Sequence, residues 1–194
     1  LPASILQDNI FDGNRPTYMN FGALGTIIGH EITHGFSLYY NLEGNEEDLW
    51  SNATIEKRTE ITQCVDDEYN IFEMGHGKNK TNHTSGEENI ADFNAVNIAY
   101  SAYQNWVQYN GRESTLPGIN YTPNQLFWIM SSTYMCFQPK LSQKDTFVGK
   151  SQHHGIPEFR VVGGIRHSPY FANDFNCPVG SNMNPKDKCK IFGD

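Results

Sequence analysis

The stretch Gly29-His30-Glu31-Ile32-Thr33-His34-Gly35 decides how the rest of this chain is interpreted. It lies within a segment, Tyr18 to Phe36, whose apolar residues recur every three or four positions, which predicts a helix. On a helix, residues four apart lie on one face, so His30 and His34 can reach one metal ion. Glu31 lies one step around the helix, where its carboxylate can act on a water molecule instead of binding the metal. The motif therefore predicts a metal-dependent hydrolase.

A catalytic zinc ion needs a third protein ligand, and water takes the fourth place. In the metzincin class this ligand is a histidine six residues beyond the second histidine, after an intervening glycine. Those two positions hold Tyr40 and Ser37, which excludes that class. The remaining option is a carboxylate from a separate helix.

The segment Glu88-Asn89-Ile90-Ala91-Asp92 offers such a carboxylate. Glu88 can bind the metal, while Asp92, four residues on and on the same face, accepts the other ring N–H of a ligand histidine. A structural alternative exists, since Glu87 and Glu88 also suit the first turn of a helix capped by Ser85. Beside the two histidines the metal-binding interpretation is favoured, and it predicts one zinc ion per chain.

Helical signals cover most of the chain, whereas strand signals are few. The predicted helices are Tyr18 to about Phe36, Asp48 to about Phe72, Ser85 to Asn110, Thr122 to Pro139 (opened by a capping box with Gln125), and two short ones that begin at Pro157 and at Ser168-Pro169. In the first helix, one buried stripe is predicted for Tyr18, Phe21, Leu24, Ile28 and Ile32. No repeat or long linker divides residues 1–194, so we expect a single, mainly α unit.

Composition and charge exclude several classes of protein. The chain has 194 residues and a mass of 22.0 kDa, which is room for one domain or part of a larger one. Its formal net charge of −8 argues against nucleic acid as a partner. No apolar run approaches the roughly 18 residues of a membrane span, so no transmembrane segment is expected within this chain. The chain begins at Leu1 without a visible signal peptide, which suggests an excised or incomplete piece.

Two features favour an extracellular setting. The first is a set of N-x-[ST] sequons, which predict glycosylation. They lie at Asn52, Asn79, Asn82 and Asn120. The second is a set of cysteines without a C-x-x-C pair, which suits disulfides better than a zinc knuckle. These are Cys64, Cys136, Cys177 and Cys189. Their number allows three connectivities, and free buried thiols in a cytosolic enzyme are the alternative.

The histidine motif and the segment from Glu88 to Asp92 together resemble the neprilysin and endothelin-converting enzyme family of zinc metallopeptidases. The likeness extends over nearly the whole chain. It includes Phe21-Gly22-Ala23-Leu24-Gly25, Ala102-Tyr103-Gln104, Leu116-Pro117-Gly118, Phe159-Arg160-Val161-Val162-Gly163 and Met183-Asn184-Pro185. The resemblance implies a gluzincin-type, thermolysin-like catalytic region, of which residues 1–194 are the C-terminal part and therefore incomplete.

The family also implies a setting and a substrate class. Its members are large ectodomains, usually anchored by an N-terminal membrane helix, that cut peptides on the amino side of hydrophobic residues. This chain is therefore expected to belong to a secreted or membrane-anchored zinc endopeptidase. Its expected partners are peptide substrates and the upstream remainder of the same ectodomain.

Carried over residue by residue, the resemblance implies that His30, His34 and Glu88 bind zinc. It makes Glu31 the general base, and Asp92 the acid that supports the site from behind the ligands.

The resemblance also implies roles that the residues alone do not indicate. It selects His154 as the donor that stabilises the tetrahedral oxyanion, and Arg160 as the group that binds a backbone carbonyl of the substrate. It pairs Cys64 with Cys189 in a disulfide, and it places the partners of Cys136 and Cys177 upstream of this chain.

Several positions near the expected site depart from the family's usual residues. Among them are Ser37, Glu87 and Gln152, where the family usually has aspartate, glycine and aspartate. These departures motivate an alternative function, a zinc-binding but catalytically weak or inactive relative that captures peptides or partners.

Overall fold

Helices form the framework of the chain in the computed structural model, which describes residues 1–36, 50–75, 86–136 and 157–190, with the side chains of 73–75 left out. The elements are a 3₁₀ turn (Ala3–Ile5), α1 (Thr17–Asn20), a π-helical turn (Phe21–Gly25), α2 (Thr26–Gly35), α3 (Asn52–Gly75), α4 (Gly86–Asn110), α5 (Pro123–Thr133), α6 (Pro157–His167) and α7 (Pro169–Asp174). Within these ranges no strand forms, and the mainly α prediction is confirmed.

Several predicted features lie outside the described residues. They are Ser37, Tyr40, Asn79, Asn82, Ser85, Pro139, Gln152 and His154. The sequons that are described, at Asn52 and Asn120, have exposed side chains. Among the described helices, none is long and apolar enough to cross a membrane.

The π-helical turn Phe21–Gly25 changes which face of the first predicted helix is buried. Tyr18 before the turn is fully buried, but Ile28 and Ile32 after it are 37% and 46% exposed. A π turn inserts an extra residue into the helical repeat, so an even three-to-four spacing loses its phase across it. The predicted stripe is therefore wrong beyond the turn. The buried residues of α2 are Thr26, Gly29, His30 and Thr33.

Close packing of α2 on α4 explains why small and polar residues form that buried face. A Cβ atom at Gly29 would lie 2.5 Å from the carbonyl oxygen of Ala95, so the two backbones touch where glycine occurs. Nearby, the side-chain amide of Asn94 donates a buried hydrogen bond of 3.0 Å to the Thr33 hydroxyl. These contacts hold the histidine helix against α4.

α4 is the central helix, and it contributes to both apolar clusters of the core. The first cluster consists of Tyr18, Val96, Ala99, Tyr100, Tyr103, Leu126, Phe127, Trp128 and Ile165. The second consists of Val65, Tyr69, Ile90, Phe93, Phe159 and Cys189. Because α4 also packs against α2, α3 and α6, a residue in its first turns is held from several sides.

Helix ends follow local capping chemistry, with two corrections to the predicted bounds. The capping box of Thr122 and Gln125 is present. α3 begins at Asn52, with the Ser51 hydroxyl accepting a hydrogen bond from the Thr54 N–H. Trp50 and Ser51 are not helical, and the predicted start at Asp48 lies outside the described residues. α5 ends at Thr133, well before Pro139. Hydroxyls in its last turn, on Ser131, Ser132 and Thr133, donate to backbone carbonyls of that turn, which is unfavourable for helix continuation.

Covalent and ionic links join α3 to α6 and to the C-terminal segment. Cys64 and Cys189 form a disulfide with a Cα–Cα distance of 5.8 Å. The Cys189 N–H donates to His167 Nδ1 over 2.9 Å, and the carboxylate of Glu68 lies 3.0 Å from Arg166 and 3.2 Å from His167. The remaining cysteines, Cys136 and Cys177, are not bridged within the chain.

Candidate metal centre

Three side chains from two helices converge on one point. His30 and His34 project from α2, and Glu88 projects from the first turn of α4. The Nε2 atoms of the two histidines lie 3.0 Å apart. The Glu88 carboxylate oxygens lie 3.2 Å from His30 Nε2 and 3.5 Å from His34 Nε2. This is the one such group of potential metal ligands among the described residues.

The donor set and its spacing fit a zinc ion. Two imidazole nitrogens and one carboxylate oxygen are the protein ligands of one common type of catalytic zinc site. Donors at about 2.0–2.1 Å from a tetrahedral centre lie about 3.3–3.4 Å from one another. The observed separations of 3.0, 3.2 and 3.5 Å bracket that value. The site is also partly open, since His34 and Glu88 are only half-buried.

Asp92 lies behind His30, on the side away from Glu88. Its Oδ1 atom is 2.9 Å from His30 Nδ1, so the other ring nitrogen, Nε2, is directed toward Glu88. Arg160 on α6 holds the same carboxylate with two hydrogen bonds, 2.6 Å from Nε to Oδ2 and 2.9 Å from Nη2 to Oδ1. A bidentate pair of this kind fixes the plane of the carboxylate and hence the histidine ring.

The electrostatics of this group follow from burial and pairing. Burial lowers the pKa of His30, but the hydrogen bond to Asp92 and the charges of Asp92 and Glu88 outweigh it, and the net pKa is raised. Burial likewise lowers the pKa of Arg160, and the bonds to Asp92 outweigh it and raise the pKa. Burial raises the pKa of the Tyr134 hydroxyl, and the charge of Asp92 raises it further. The Tyr134 ring therefore belongs to the surroundings of the Asp92–Arg160 pair.

The structure places the predicted site residues as follows. It brings together His30, His34, Glu88, Asp92 and Arg160. Glu31, the residue after His30 on α2, is exposed to solvent. His154 lies outside the described residues.

Two contacts near the site were not predicted from the sequence. The Thr33–Asn94 hydrogen bond links α2 to α4, and an ion pair joins Glu87 to Arg58 on α3. In the sequence, Thr33 and Asn94 are only polar residues within two helices, which is a weak signal that they form a hydrogen bond. The position of Glu87 next to a candidate ligand could have prompted a search for a cation, but nothing in the sequence selects Arg58.

Comparisons with known proteins give a consistent picture. The family model of peptidase family M13 matches residues 1–191. The chain is 39% identical to neprilysin-2 of Drosophila melanogaster over 195 residues. The aligned residues make up 98% of this chain and 25% of that protein. The chain is 37% identical over 196 residues to endothelin-converting enzyme 1 of Rattus norvegicus, with the same coverage.

A solved structure shares the fold. A zinc metalloprotease of Mycobacterium tuberculosis in its open state superimposes with a TM-score of 0.80 at 24% identity, over 99% of this chain and 31% of that one. The chain thus spans about a quarter of the length of the curated relatives that it matches.

Proposed function

This chain belongs to peptidase family M13, and we propose that it supplies the zinc-binding part of an endopeptidase that cleaves peptides on the amino side of hydrophobic residues. The observation that carries the proposal is the convergence of His30, His34 and Glu88 from two helices, with Asp92 bonded to the far nitrogen of His30. We propose that these three residues bind one zinc ion. Residues 1–194 would act as the C-terminal part of a longer catalytic domain.

Zinc bound there would supply a Lewis acid that polarises the scissile carbonyl and lowers the pKa of its water ligand toward about 7. The residues of this chain supply the rest. Glu31, exposed beside the histidines, takes a proton from the attacking water onto its carboxylate and passes it to the departing amine nitrogen. Asp92 holds His30 in the tautomer that directs Nε2 to the site.

Two further residues would act on the substrate. His154 is proposed to donate a hydrogen bond to the developing oxyanion, a contribution of about 3–4 kcal/mol for one donor. Arg160 is proposed to donate to a backbone carbonyl of the peptide. Its Nη1 group takes no part in the two bonds that hold Asp92, which supports this role.

The sequons and cysteines support a proposed extracellular setting, in a secreted protein or the ectodomain of a membrane-anchored one. The exposed positions of Asn52 and Asn120 are compatible with glycosylation there. The inactive alternative is not favoured. Of the three departures that motivate it, Glu87 is the one among the described residues, and its charge is paired with Arg58.

Substitution of Glu31→Gln in the full-length protein tests the proposal. The change keeps the shape of the side chain but removes the base, so zinc should stay bound while turnover of a quenched peptide falls by about 10²–10⁴-fold. Glu56→Gln, at an exposed glutamate on α3, is the matched control and should retain activity. Loss of zinc by the Glu31 variant would contradict its role as a base. An unmodified protein that neither binds zinc nor cuts peptides would overturn the proposed function.

A further inference from the structure

An ion pair between α3 and α4 lies immediately beside the third proposed zinc ligand. Arg58 Nη2 is 2.5 Å from an oxygen of Glu87, the residue that precedes Glu88. The Arg58 side chain is 23% exposed and that of Glu87 is 51% exposed, so the pair lies at the rim of the site and not in the core. A pair this exposed contributes little to global stability. Its place on the helix suggests a more local role.

One face of α3 receives the start of α4. This face carries residues at intervals of four, namely Arg58, Thr62 and Asp66, which therefore lie along the same side of the helix. A Cβ atom at Gly86 would be 3.3 Å from the Thr62 methyl group and 3.4 Å from an Asp66 oxygen, so Gly86 rests on this face. Glu87 is held at the same face by its ion pair with Arg58.

This docking bears on the direction of Glu88. Successive residues of an α-helix are turned by about 100°, so holding residues 86 and 87 against α3 turns residue 88 toward a different neighbour, which is α2. Helix ends fray, and Glu88 is only the third residue of α4. A ligand in such a position needs its turn to be held.

We propose that Arg58 is a positioning residue for Glu88: by pairing with Glu87 it holds the first turn of α4 at the rotation in which Glu88 faces the two histidines. The inference rests on the proposed zinc site. In this proposal α3 also contributes to the site, through Arg58, whereas the proposed ligands lie on α2 and α4.

An effect of charge alone predicts different changes in zinc affinity from an effect of positioning. If only charge mattered, removing Arg58 would leave Glu87 uncompensated and strengthen cation binding, whereas removing the charge of Glu87 would weaken it. If positioning matters, either single change loosens the same turn and weakens binding. Paired substitutions therefore separate the two effects.

The experiment measures zinc affinity in the full-length protein by competition with a chromophoric chelator. Arg58→Gln and Glu87→Gln should each weaken zinc binding by about fivefold, with little change in the unfolding midpoint of the zinc-free protein. The swap Arg58→Glu with Glu87→Arg should restore most of the affinity. Lys57→Gln is the matched control, since it removes one positive charge at the next position, from an exposed pair with Glu60, and should leave affinity unchanged.

Failure of this inference can be told apart from failure of the proposed zinc site. Glu88→Ala should abolish tight zinc binding; if it does not, or if the unmodified protein binds no zinc, the proposed site is wrong. If Glu88→Ala loses zinc while the two single variants keep full affinity, or shift it in opposite directions, Arg58 does not position the ligand. A fall in the unfolding midpoint without a fall in affinity would likewise overturn the inference, because it indicates a purely structural pair.

Discussion

Asp92 shows how much of the site depends on a single side chain. Its Oδ1 atom contacts both His30 Nδ1 and Arg160 Nη2, and its Oδ2 atom accepts from Arg160 Nε. A carboxylate can serve all three donors, because both of its oxygens are acceptors. No other residue type of the same size offers that combination.

We therefore expect Asp92→Asn to weaken zinc binding. Asparagine has one acceptor oxygen, so its NH₂ group would face Arg160 Nε in one orientation, and both His30 Nδ1 and Arg160 Nη2 in the other. Loss of such a supporting partner costs about 10–100-fold in metal affinity or activity. Competition titration with a chelator measures the effect, and Asp67→Asn, at an exposed aspartate on α3, is the control. Unchanged affinity would show that Asp92 does not orient the ligand.

At the scale of elements, the site depends on how closely α2 approaches α4. Gly29 precedes His30 and lies against the backbone of Ala95, where an added Cβ would be 2.5 Å from the carbonyl oxygen. Backbone atoms cannot move aside as the end of a flexible side chain can, so the helices must separate to accommodate a methyl group. The proposed zinc ligands on the two helices would separate with them.

Gly29→Ala should therefore lower both stability and zinc affinity. Overpacking costs about 1–3 kcal/mol, which exceeds the gain of up to about 1 kcal/mol from alanine's helix propensity. Gly35→Ala on the same helix is the matched control, because no described residue lies within 4 Å of its added Cβ. Denaturant unfolding compares the two variants. Equal stability would mean that the α2–α4 contact tolerates expansion.

A second contact between elements predicts how stability depends on pH. The pKa of Glu68 is lowered below its usual 4.5, chiefly by the hydrogen bond from His167 and also by the charge of Arg166, although burial opposes the shift. A carboxylate whose pKa is lower in the folded state stabilises the protein above the unfolded value and loses that contribution as pH falls through the folded value.

The link between α3 and α6 should accordingly weaken in acid. Below about pH 4.5 the unmodified protein should lose stability more steeply than Glu68→Gln, which lacks this titrating group. Glu60→Gln, at an exposed residue of the same helix, should leave the slope unchanged. Unfolding curves measured from pH 6 to about pH 3 test this. Parallel acid slopes for the unmodified protein and Glu68→Gln would contradict it.

For the whole molecule, the Cys64–Cys189 disulfide closes most of the chain into one loop. The two residues are separated by 125 positions. In the chain-entropy treatment, a loop of this length stabilises the folded state by about 4–5 kcal/mol, mainly by restricting the unfolded chain. The bridge also anchors the C-terminal segment beside His167 and the second apolar cluster.

Replacing both cysteines by serine should lower the free energy of unfolding by about 2–5 kcal/mol. Peptide mapping under non-reducing conditions of the full-length protein should first recover the Cys64 peptide joined to the Cys189 peptide. A Cys64 peptide joined instead to that of Cys136 or Cys177 would contradict this pairing, and unchanged stability in the double serine variant would contradict the expected contribution.

Much of this fold could be predicted from the sequence, because helices depend on residues within about four positions of one another. The capping box of Thr122 and Gln125, the stop at Asn110 before a glycine with φ +82°, and the mainly α architecture all follow from such local patterns. The spacing of His30 and His34 on one helical face is local in the same sense. It is enough to predict a metal site and its type of chemistry.

Contacts between distant segments could be decided only by the tertiary structure. Local spacing could not detect that a π turn shifts Ile28 and Ile32 to the surface, or that α4 requires glycine at position 29. Nor could it choose the partner of Glu87, since separation along the chain does not distinguish Arg58 from the other cations. Burial, pairing and the direction of a side chain depend on which helix faces which, and this arises only when the whole core packs at once.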